Sequence, residues 1–529
     1  MRGALQEITG LARYAVGLPR MLRRPITSEE ARARVAEQQR TRDDAFLTCL
    51  RRTVYEFPRS PYLALLRWAG VELGDATALA REHGLEGALE RLHDAGVYVQ
   101  LEEFKCRRPI ERPGLTLEPR LEDFDGPLVG PAYGTRTGGS SGRPRRVVID
   151  LRQREQQALY HRLFIDAFGL AGRPVASWRA APPGNAGLGG VIGFAKAGAT
   201  PERWFSQSRP GLRRGMVKDW AFVTSSVLGG RLAGARVPFP EYVPVSDATP
   251  VAAWLAEKVR AGTPGLLNTT PSSAVRACQA AERAGLDISG SVVRIGGEPH
   301  TPGKAAVYER NGVTAISSYT MSEVGRIGVA CAERRALDDV HLTTNALGVI
   351  QRPRAVAGGG SVDALLFTSL RLHAPKVLLN FESDDFATLE RRECGCLLGE
   401  LGLTTHVHDI RSHEKLTSEG MTFLGSEVIT LVDEVLPARF GGQPTDYQLV
   451  EQEVDGLPRV TVVVSPAVGP IDEGGVLEAV LGALATGPGY KAMMAEVWKD
   501  GRTVRVERRE PLATGAGKIL PLYAGTALR

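Results

Sequence analysis

The pattern of apolar and polar residues changes twice along the chain. In residues 28–56 apolar side chains recur at helical spacing, Ser28 is placed to cap, and Glu29 and Glu30 occupy the first turn. Residues 74–95 predict two short helices broken at Gly84, and residues 151–169 predict another helix. We therefore expect residues 1–125 to form a largely helical lead-in.

From residue 175 to residue 401, short β-rich runs alternate with helical segments. Strands are predicted at 291–295, 313–317 and 364–368, and helices at 252–261 and 272–285. This alternation favours an α/β architecture.

After Arg411 the pattern is typical of a small α+β unit. Helices are predicted at 426–436 and 471–484, and strands at 460–464, 495–498 and 504–506. We expect a fold of class α/β, with a large N-terminal domain of residues 1–410 and a small C-terminal domain of residues 411–529.

Composition narrows the class of partner. The chain has 529 residues, of which 43% are hydrophobic, so it can build more than one core. A net charge of +5 is the small difference between 65 basic and 60 acidic residues. It gives little reason to expect a nucleic-acid partner, although it suits small anionic ligands.

The N-terminal segment 8–22 is apolar but interrupted by Arg13 and Arg20. It is too short and too charged to span a bilayer and lacks a signal-peptide cleavage site. We predict an amphipathic helix packed on the body, with a membrane-surface helix as the alternative. No longer apolar run follows, so we expect a cytoplasmic protein.

A loop rich in glycine and hydroxyl residues is the first candidate for chemistry. It reads Thr-Gly-Gly-Ser-Ser-Gly-Arg-Pro-Arg from residue 137 to residue 145. Backbone N–H groups, hydroxyls and guanidinium groups together suit a polyphosphate. A flexible connector is the alternative for this segment taken alone. The candidate ligands are Thr137, Gly138, Gly139, Ser140, Ser141, Gly142 and Arg145.

Further motifs follow at long intervals. They are Gly296-Gly297-Glu298-Pro299 after an apolar run, Ser318-Tyr319-Thr320-Met321-Ser322-Glu323 after a second run, Phe381-Glu382-Ser383-Asp384-Asp385 after a third, a segment from Arg411 to Gly420, and Gly515-Ala516-Gly517-Lys518 near residue 529.

In this order the motifs resemble the adenylate-forming superfamily of acyl-CoA synthetases, luciferases and peptide-synthetase adenylation domains. The likeness is closest to phenylacetate–coenzyme A ligases and covers residues 50–529. It implies an enzyme that activates a carboxylic acid with ATP through an acyl-adenylate and then forms a thioester with coenzyme A. It further implies an aromatic or arylalkyl acid and a small domain that rotates about the Arg411 segment. A homodimer is common among such enzymes.

The resemblance also implies roles for single residues. Glu323 would bind magnesium, Ser322 would lie near the α-phosphate, and Lys518 would be the catalytic lysine of adenylation. Tyr319 would stack on adenine, and Asp385 would accept hydrogen bonds from the ribose. The remaining nucleotide-binding candidates are Gly296, Gly297, Glu298 and Pro299 at the adenine edge, Ser318 and Thr320 beside Tyr319, and Arg411 at the ribose.

Three departures keep rival functions open. Arg145 stands where the family has lysine, Asp384 replaces a glycine, and Ser412 to Lys415 replace the acidic hinge, with Glu414 the nearest acid. An adenylating enzyme with another acceptor, such as an amine, a carrier-protein thiol or a small nitrogen species, is one alternative. A non-catalytic nucleotide-binding descendant is another.

The six cysteines do not suggest a disulfide framework. Cys331, His341, Cys394 and Cys396 form a possible zinc set, because three thiolates and one imidazole suit tetrahedral zinc. Reduced, unpaired cysteines beside a loop histidine are the alternative. Some relatives of phenylacetate–coenzyme A ligase hold a structural metal at similar positions.

Overall fold

The N-terminal part of the computed structural model is helical, as predicted. The structure describes residues 2–128, 133–137, 145–182, 186–208, 217–355, 361–412, 415–418, 421–486, 489–513 and 519–524. The first helices are α1 (Arg2–Leu22), α2 (Ser28–Arg40), α3 (Arg42–Cys49), which continues as a π-helical turn, α4 (Pro61–Trp68), α5 (Leu73–Asp94) and α6 (Leu101–Phe104).

The break in α5 and the N-terminal cap of α2 can be compared with the predictions. Gly84 has φ 70° and ψ 178° and breaks α5 in two, as predicted. The cap of α2 is Thr27, whose hydroxyl accepts a hydrogen bond from the N–H of Glu30. The assignment of the cap to Ser28 is therefore wrong. The Ser28 hydroxyl instead donates to Asp166 Oδ2 at 2.7 Å and joins α2 to the helix of Leu151–Ala167.

Two hairpins precede the main sheet. The first pairs β1 (Ile110–Arg112) with β2 (Leu115–Leu117), and the second pairs β3 (Tyr133–Thr137) with β4 (Arg145–Ile149). Thr137 and Arg145 are register partners in the second hairpin. Residues 138–144, which hold most of the candidate phosphate ligands, lie outside the described residues.

A sheet of 12 strands forms the centre of the molecule. Its strands are β5 (Val175–Trp178), β6 (Arg203–Ser206), β7 (Pro240–Tyr242), β8 (Leu266–Thr269), β9 (Val292–Ile295), β10 (Thr314–Met321), β11 (Gly325–Ala330), β12 (Val340–Leu342), β13 (Leu347–Ala355), β14 (Ser361–Ser369), β15 (Phe381–Arg391) and β16 (Thr405–Ser412). Their order is β13-β14-β15-β16-β12-β11-β10-β9-β8-β5-β6-β7.

The sheet is parallel on one side of β10 and antiparallel on the other. Strands β7, β6, β5, β8, β9 and β10 run parallel, and β10 pairs antiparallel with β11. The helices of this part are α7 (Leu151–Ala167), α8 (Ala186–Lys196), α9 (Val217–Leu232), α10 (Thr249–Arg260), α11 (Pro271–Ala284), α12 (Pro302–Arg310) and α13 (Leu397–Glu400). The predicted α/β class is confirmed.

The C-terminal part is a small α+β unit around a four-stranded sheet. Its elements are β17 (Lys415–Ser418), β18 (Met421–Leu424), α14 (Gly425–Thr430), α15 (Leu436–Phe440), β19 (Tyr447–Val454), β20 (Leu457–Val464), α16 (Glu473–Ala485), α17 (Gly489–Asp500), β21 (Val504–Arg508) and β22 (Leu522–Ala524). The sheet has the order β21-β20-β19-β22.

One predicted strand of this unit is wrong. Residues 495–498 lie inside α17, where Val497 and Trp498 are buried. A short apolar run cannot distinguish a buried strand from a buried helix turn, and here the helix packs on α16.

The two units are in contact in this structure. Thr301 Oγ1 donates to Glu453 Oε2 at 2.6 Å, and Arg276 donates to the carbonyl of Gly501 at 3.1 Å. Arg411 is the penultimate residue of β16, so the central sheet runs just past the predicted boundary at 410. The division into two mobile domains stays a prediction.

The segment at the N-terminus packs as expected. Tyr14, Leu18 and Leu22 of α1 are buried against α8 and α9 in one apolar cluster. Within the described residues, no helix is long and apolar enough to cross a membrane.

Candidate active site

The glycine motif after β9 lies against the end of β10. A Cβ on Gly296 would stand 2.4 Å from the carbonyl oxygen of Ser318, and Gly297 has φ +91°. Both positions therefore require glycine, one for close approach and one for a left-handed turn. Because β9 and β10 are parallel, this turn lies at the carboxyl edge of the sheet, where open α/β sheets bind ligands.

Glu298, the next residue of this motif, is turned into the protein. Its Oε2 accepts a hydrogen bond of 3.1 Å from the backbone N–H of Ser272 in the first turn of α11. Lys304 Nζ lies 3.8 Å from the same oxygen and donates to the carbonyl of Pro299 at 2.9 Å. Glu298 thus stabilises the turn itself.

Tyr319 and Asp385 come together from distant parts of the chain. The Tyr319 hydroxyl donates to Asp385 Oδ2 at 2.7 Å, and the Ser412 hydroxyl donates to Oδ1 at 2.7 Å. Burial and the Asp385 carboxylate raise the pKa of Tyr319 well above its usual value, so it stays a phenol. Asp384, its neighbour, is buried with φ +62°.

Glu323 lies at the turn between β10 and β11 with a cation beside it. Lys105 Nζ, at the end of α6, is 2.5 Å from Oε1, and Ser322 donates to Oε2 at 2.8 Å. Lys105 and Glu323 are both buried. A divalent cation at Oε1 would have to displace this ammonium group. Lys105 was not predicted from the sequence, because it is 218 residues from Glu323 and belongs to no motif.

Arg411 lies near the end of β16, next to the strand that carries Asp385. In the strand register it pairs with Phe386, whereas Ser412 pairs with Asp385. Its Nη1 lies 3.5 Å from Asp338 Oδ2, and Asp338 also accepts the N–H groups of Asp409 and Ile410. In this structure Arg411 therefore fixes the end of β16, and its ribose contact stays a prediction.

Lys518 falls outside the described residues, but the chain on both sides of it is held firmly. Gln448 is buried and accepts the N–H of Leu512 at 2.8 Å while donating to the carbonyls of Leu512 and Leu520 at 3.0 and 2.9 Å. Ala513 and Ile519 form an antiparallel bridge. One amide side chain thus ties together the two arms that flank residues 514–518.

The four predicted zinc ligands do meet. Their ligand atoms all lie within 4.8 Å of one another. His341 Nε2 is 3.1 Å from Cys396 Sγ and 3.6 Å from Cys394 Sγ. The hydrogen bond between Cys331 and Cys396 raises the pKa of Cys331 and lowers that of Cys396, so Cys396 is the first thiol to ionise.

The surroundings of this cluster fit a tetrahedral metal. His341 Nδ1 donates to the carbonyl of Leu403 at 2.5 Å, which leaves Nε2 as the free lone pair facing the sulfurs. Asp339 accepts His406 Nδ1 at 2.9 Å and Arg392 at 2.5 Å. Burial would raise the pKa of Asp339, but these two bonds lower it overall.

Comparisons with known proteins give structural likeness only. No protein-family model matches the chain, and no curated protein matches it. A solved structure of 2-hydroxyisobutyryl-CoA ligase, in complex with 2-HIB-AMP and CoA in the thioesterification state, aligns with a TM-score of 0.53 at 13% identity over 95% of this chain and 91% of that chain.

A second solved structure is less similar. It is the o-succinylbenzoate–CoA synthetase of Bacillus subtilis, with a TM-score of 0.39 at 12% identity over 74% of this chain and 68% of that chain. The first alignment spans both the 12-stranded sheet and the small unit. The chain has the fold of the adenylate-forming enzymes.

Proposed function

We propose that this protein is an AMP-forming acid–coenzyme A ligase. In the first half-reaction a carboxylate oxygen attacks the α-phosphorus of ATP, and pyrophosphate leaves. In the second, the sulfur of coenzyme A attacks the acyl carbonyl, and AMP leaves. The fold, which is shared with a CoA ligase, is compatible with both steps.

One observation carries the proposal. Tyr319, Glu323 and Asp385 come from strands or turns of one sheet, and the Tyr319–Asp385 hydrogen bond joins two of the motifs directly. The glycine turn at Gly296 touches Ser318, next to Tyr319. Three motifs separated in sequence are thus compatible with a single nucleotide site at the carboxyl edge of the sheet.

Each residue of the site has a proposed role. The backbone of Gly296 and Gly297 borders adenine, Asp385 accepts the ribose hydroxyls, and the loop 138–142 with Arg145 holds the β- and γ-phosphates. Glu323 is the carboxylate that would hold magnesium, which neutralises phosphate charge when bound. Lys518 stabilises the charge that develops between carboxylate and α-phosphate.

Zinc is proposed as a structural metal in the cluster of Cys331, His341, Cys394 and Cys396. A tetrahedral zinc with four such ligands places them roughly 3–4 Å apart, close to the spacing found here. All four positions are taken by protein atoms, so this metal would stabilise the fold and would not take part in the reaction.

The acid is proposed to be aromatic or arylalkyl, as in phenylacetate–coenzyme A ligases. The acyl pocket is proposed to lie between the region from Phe194 to Trp204 and the segment 317–319. Phe194 and Trp204 are both buried. The Trp204 indole N–H donates to the carbonyl of Arg179, at the same edge of the sheet as the glycine turn.

The proposal is tested by mass spectrometry of reaction products. The protein is incubated with ATP, magnesium and a panel of carboxylic acids, with and without coenzyme A. We expect an acyl-adenylate and pyrophosphate without coenzyme A, and an acyl-CoA plus AMP with it. Adenylate formation with no thioester would show that the acceptor is not coenzyme A. Formation of ADP, or loss of ATP that does not depend on the acid, would reject the proposal.

A further inference from the structure

Three arginines gather at the carboxyl edge of the parallel strands. Arg294 lies on β9 two residues before Gly296, Arg326 lies on β11 three residues after Glu323, and Arg179 directly follows β5. Arg179 donates to the carbonyl of Gly296 at 3.0 Å, which ties the group to the glycine turn.

Arg294 is the most deeply placed of them, with 2% of its surface exposed. Its Nη1 donates to His161 Nδ1 at 3.1 Å, and its guanidinium carbon lies 5.0 Å from the ring centre of Phe164 and 5.4 Å from that of Phe194. Among the described residues, its Nε and Nη2 have no hydrogen-bond partner. These N–H donors are buried and unsatisfied.

Arg326 is also buried, with 7% of its surface exposed. Its Nε has no hydrogen-bond partner in the part of the chain that the structure describes. Its backbone N–H donates to Gln157 Oε1 at 2.7 Å, which holds β11 against α7, the helix that also carries His161. Burial, together with the charges of Arg326 and Arg179, lowers the pKa of Arg294.

Among the described residues, no carboxylate lies within ion-pair distance of Arg179, Arg294 or Arg326. Glu298 acts on Arg179 from a greater distance, and burial still lowers the pKa of Arg179 to about 10. Burial and the neighbouring arginines lower the pKa of Arg294 and that of His161. Buried guanidinium groups without a counter-charge are costly to the free protein.

A bound anion would compensate the positive charge of these buried guanidinium groups. The planar fork of a guanidinium matches a carboxylate, sulfonate or phosphate in a bidentate manner. The Tyr319–Asp385 contact joins β10 to β15, whereas Arg294 packs against α7 and α8. The anion is therefore assigned to the acid that is activated and not to the nucleotide.

We infer that the acid carries, besides the carboxylate that is adenylated, a second anionic group that is bound by Arg294 and Arg326. The inference rests on the proposed function and narrows its substrate class to diacids and related dianions. The rings of Phe164 and Phe194 lie beside the Arg294 guanidinium group. An acid with an aromatic ring between its two anionic groups is compatible with these surroundings.

The test compares acids that differ only at the far end. Acid-dependent ATP–pyrophosphate exchange is measured with phenylacetate, 4-carboxyphenylacetate, its neutral 4-methyl ester and 4-sulfophenylacetate, and in an aliphatic series with pentanoate and glutarate. We expect kcat/KM to be at least about 100-fold higher with a second anion, because a neutral end leaves the buried donors unpaired. The sulfonate distinguishes a general anion site from one shaped for carboxylate.

Variants assign the effect to the arginines. Arg294→Met should reduce the preference to less than about tenfold, Arg294→Lys should keep part of it, and the exposed ion-paired Arg310→Met should leave it unchanged. Without ligand, Arg294→Met should unfold at or above the wild-type temperature, because an uncompensated charge is removed. It should also lose the rise in unfolding temperature that 4-carboxyphenylacetate gives the wild type.

Each outcome separates the two proposals. Equal exchange with neutral and dianionic acids overturns the second-anion site and leaves the ligase standing. A preference that survives unchanged in Arg294→Met overturns the assignment to this arginine. Exchange with none of the acids, together with no acyl-adenylate in the product assay, rejects the proposed function and this inference with it.

Discussion

Lys105 Nζ lies 2.5 Å from Oε1 of Glu323, and both side chains are almost fully removed from solvent. A buried ion pair of this kind is costly to break from one side, because the remaining charge stays buried without compensation. The Lys105 ammonium group and the Ser322 hydroxyl hold the two carboxylate oxygens of Glu323 in place.

Removing one partner of this pair should therefore destabilise the protein strongly. We expect Lys105→Met or Glu323→Gln alone to lower the free energy of unfolding by about 3–5 kcal/mol, and the double variant to lose much less than the sum. Urea unfolding of all four proteins gives the coupling energy. Additive losses would show that the two charges do not depend on each other.

The cysteine and histidine cluster should hold about one zinc per chain. Cys396→Ser should lose the metal and unfold at a temperature lower by more than about 5 °C, because metal binding is part of the folding free energy. Cys278→Ser is the matched control, since Cys278 is also buried but lies in a separate apolar cluster. Elemental analysis and thermal unfolding check both. Purified wild type without zinc, with all six thiols reactive, would refute the site.

Glu451, on β19 of the small unit, should make the free energy of unfolding sensitive to pH. Burial raises its pKa to about 7, with Glu298 raising it and Lys304 lowering it. The Glu451 carboxyl therefore binds its proton more tightly in the folded state than in the unfolded state. The stabilisation that this proton gives is fully present below about pH 4.5 and is lost as the pH rises through 7. At most about 3 kcal/mol is involved.

Glu451→Gln should remove that loss between pH 5 and pH 8, because the amide does not titrate. Urea unfolding at a series of pH values compares it with the wild type, and Glu507→Gln on the same small sheet serves as a more exposed control. Parallel pH profiles for all three proteins would show that Glu451 does not titrate in this range.

Lys518 should act in only one half-reaction. Lys518→Ala should slow adenylate formation by on the order of 100- to 1,000-fold, the usual effect of removing one preorganised charge from a transition state. It should spare the conversion of a chemically supplied acyl-adenylate to the thioester. Lys499→Ala, an exposed lysine of the same unit, should change neither rate. Equal slowing of both half-reactions by Lys518→Ala would reject its role and the domain rotation with it.

Local patterns predicted the fold well where one physical signal dominated. The break at Gly84 followed from glycine inside a helical pattern, and the alternation of runs predicted the α/β sheet. Residues 495–498 were predicted to form a strand because a run of four apolar-rich residues is too short to show whether its period is that of a helix or a strand.

Only the site residues that lie within sequence motifs could be predicted. Tyr319, Glu323 and Asp385 were found from sequence, and the structure brings Tyr319 to Asp385. Lys105 and Gln448 were missed, because their partners depend on tertiary packing that no local pattern records. Arg294 looked like an ordinary strand residue, and only its burial without a counter-charge distinguishes it.

The central claim is that this chain forms an acyl-adenylate on the edge of the sheet that holds Glu323. Acid-dependent ATP–pyrophosphate exchange measures that step directly, without requiring the second half-reaction. We predict exchange that requires both magnesium and a carboxylic acid, and that falls by on the order of 100- to 1,000-fold in Glu323→Gln. Exchange unchanged in this variant at limiting magnesium, or no exchange with any acid in the wild type, would contradict the account.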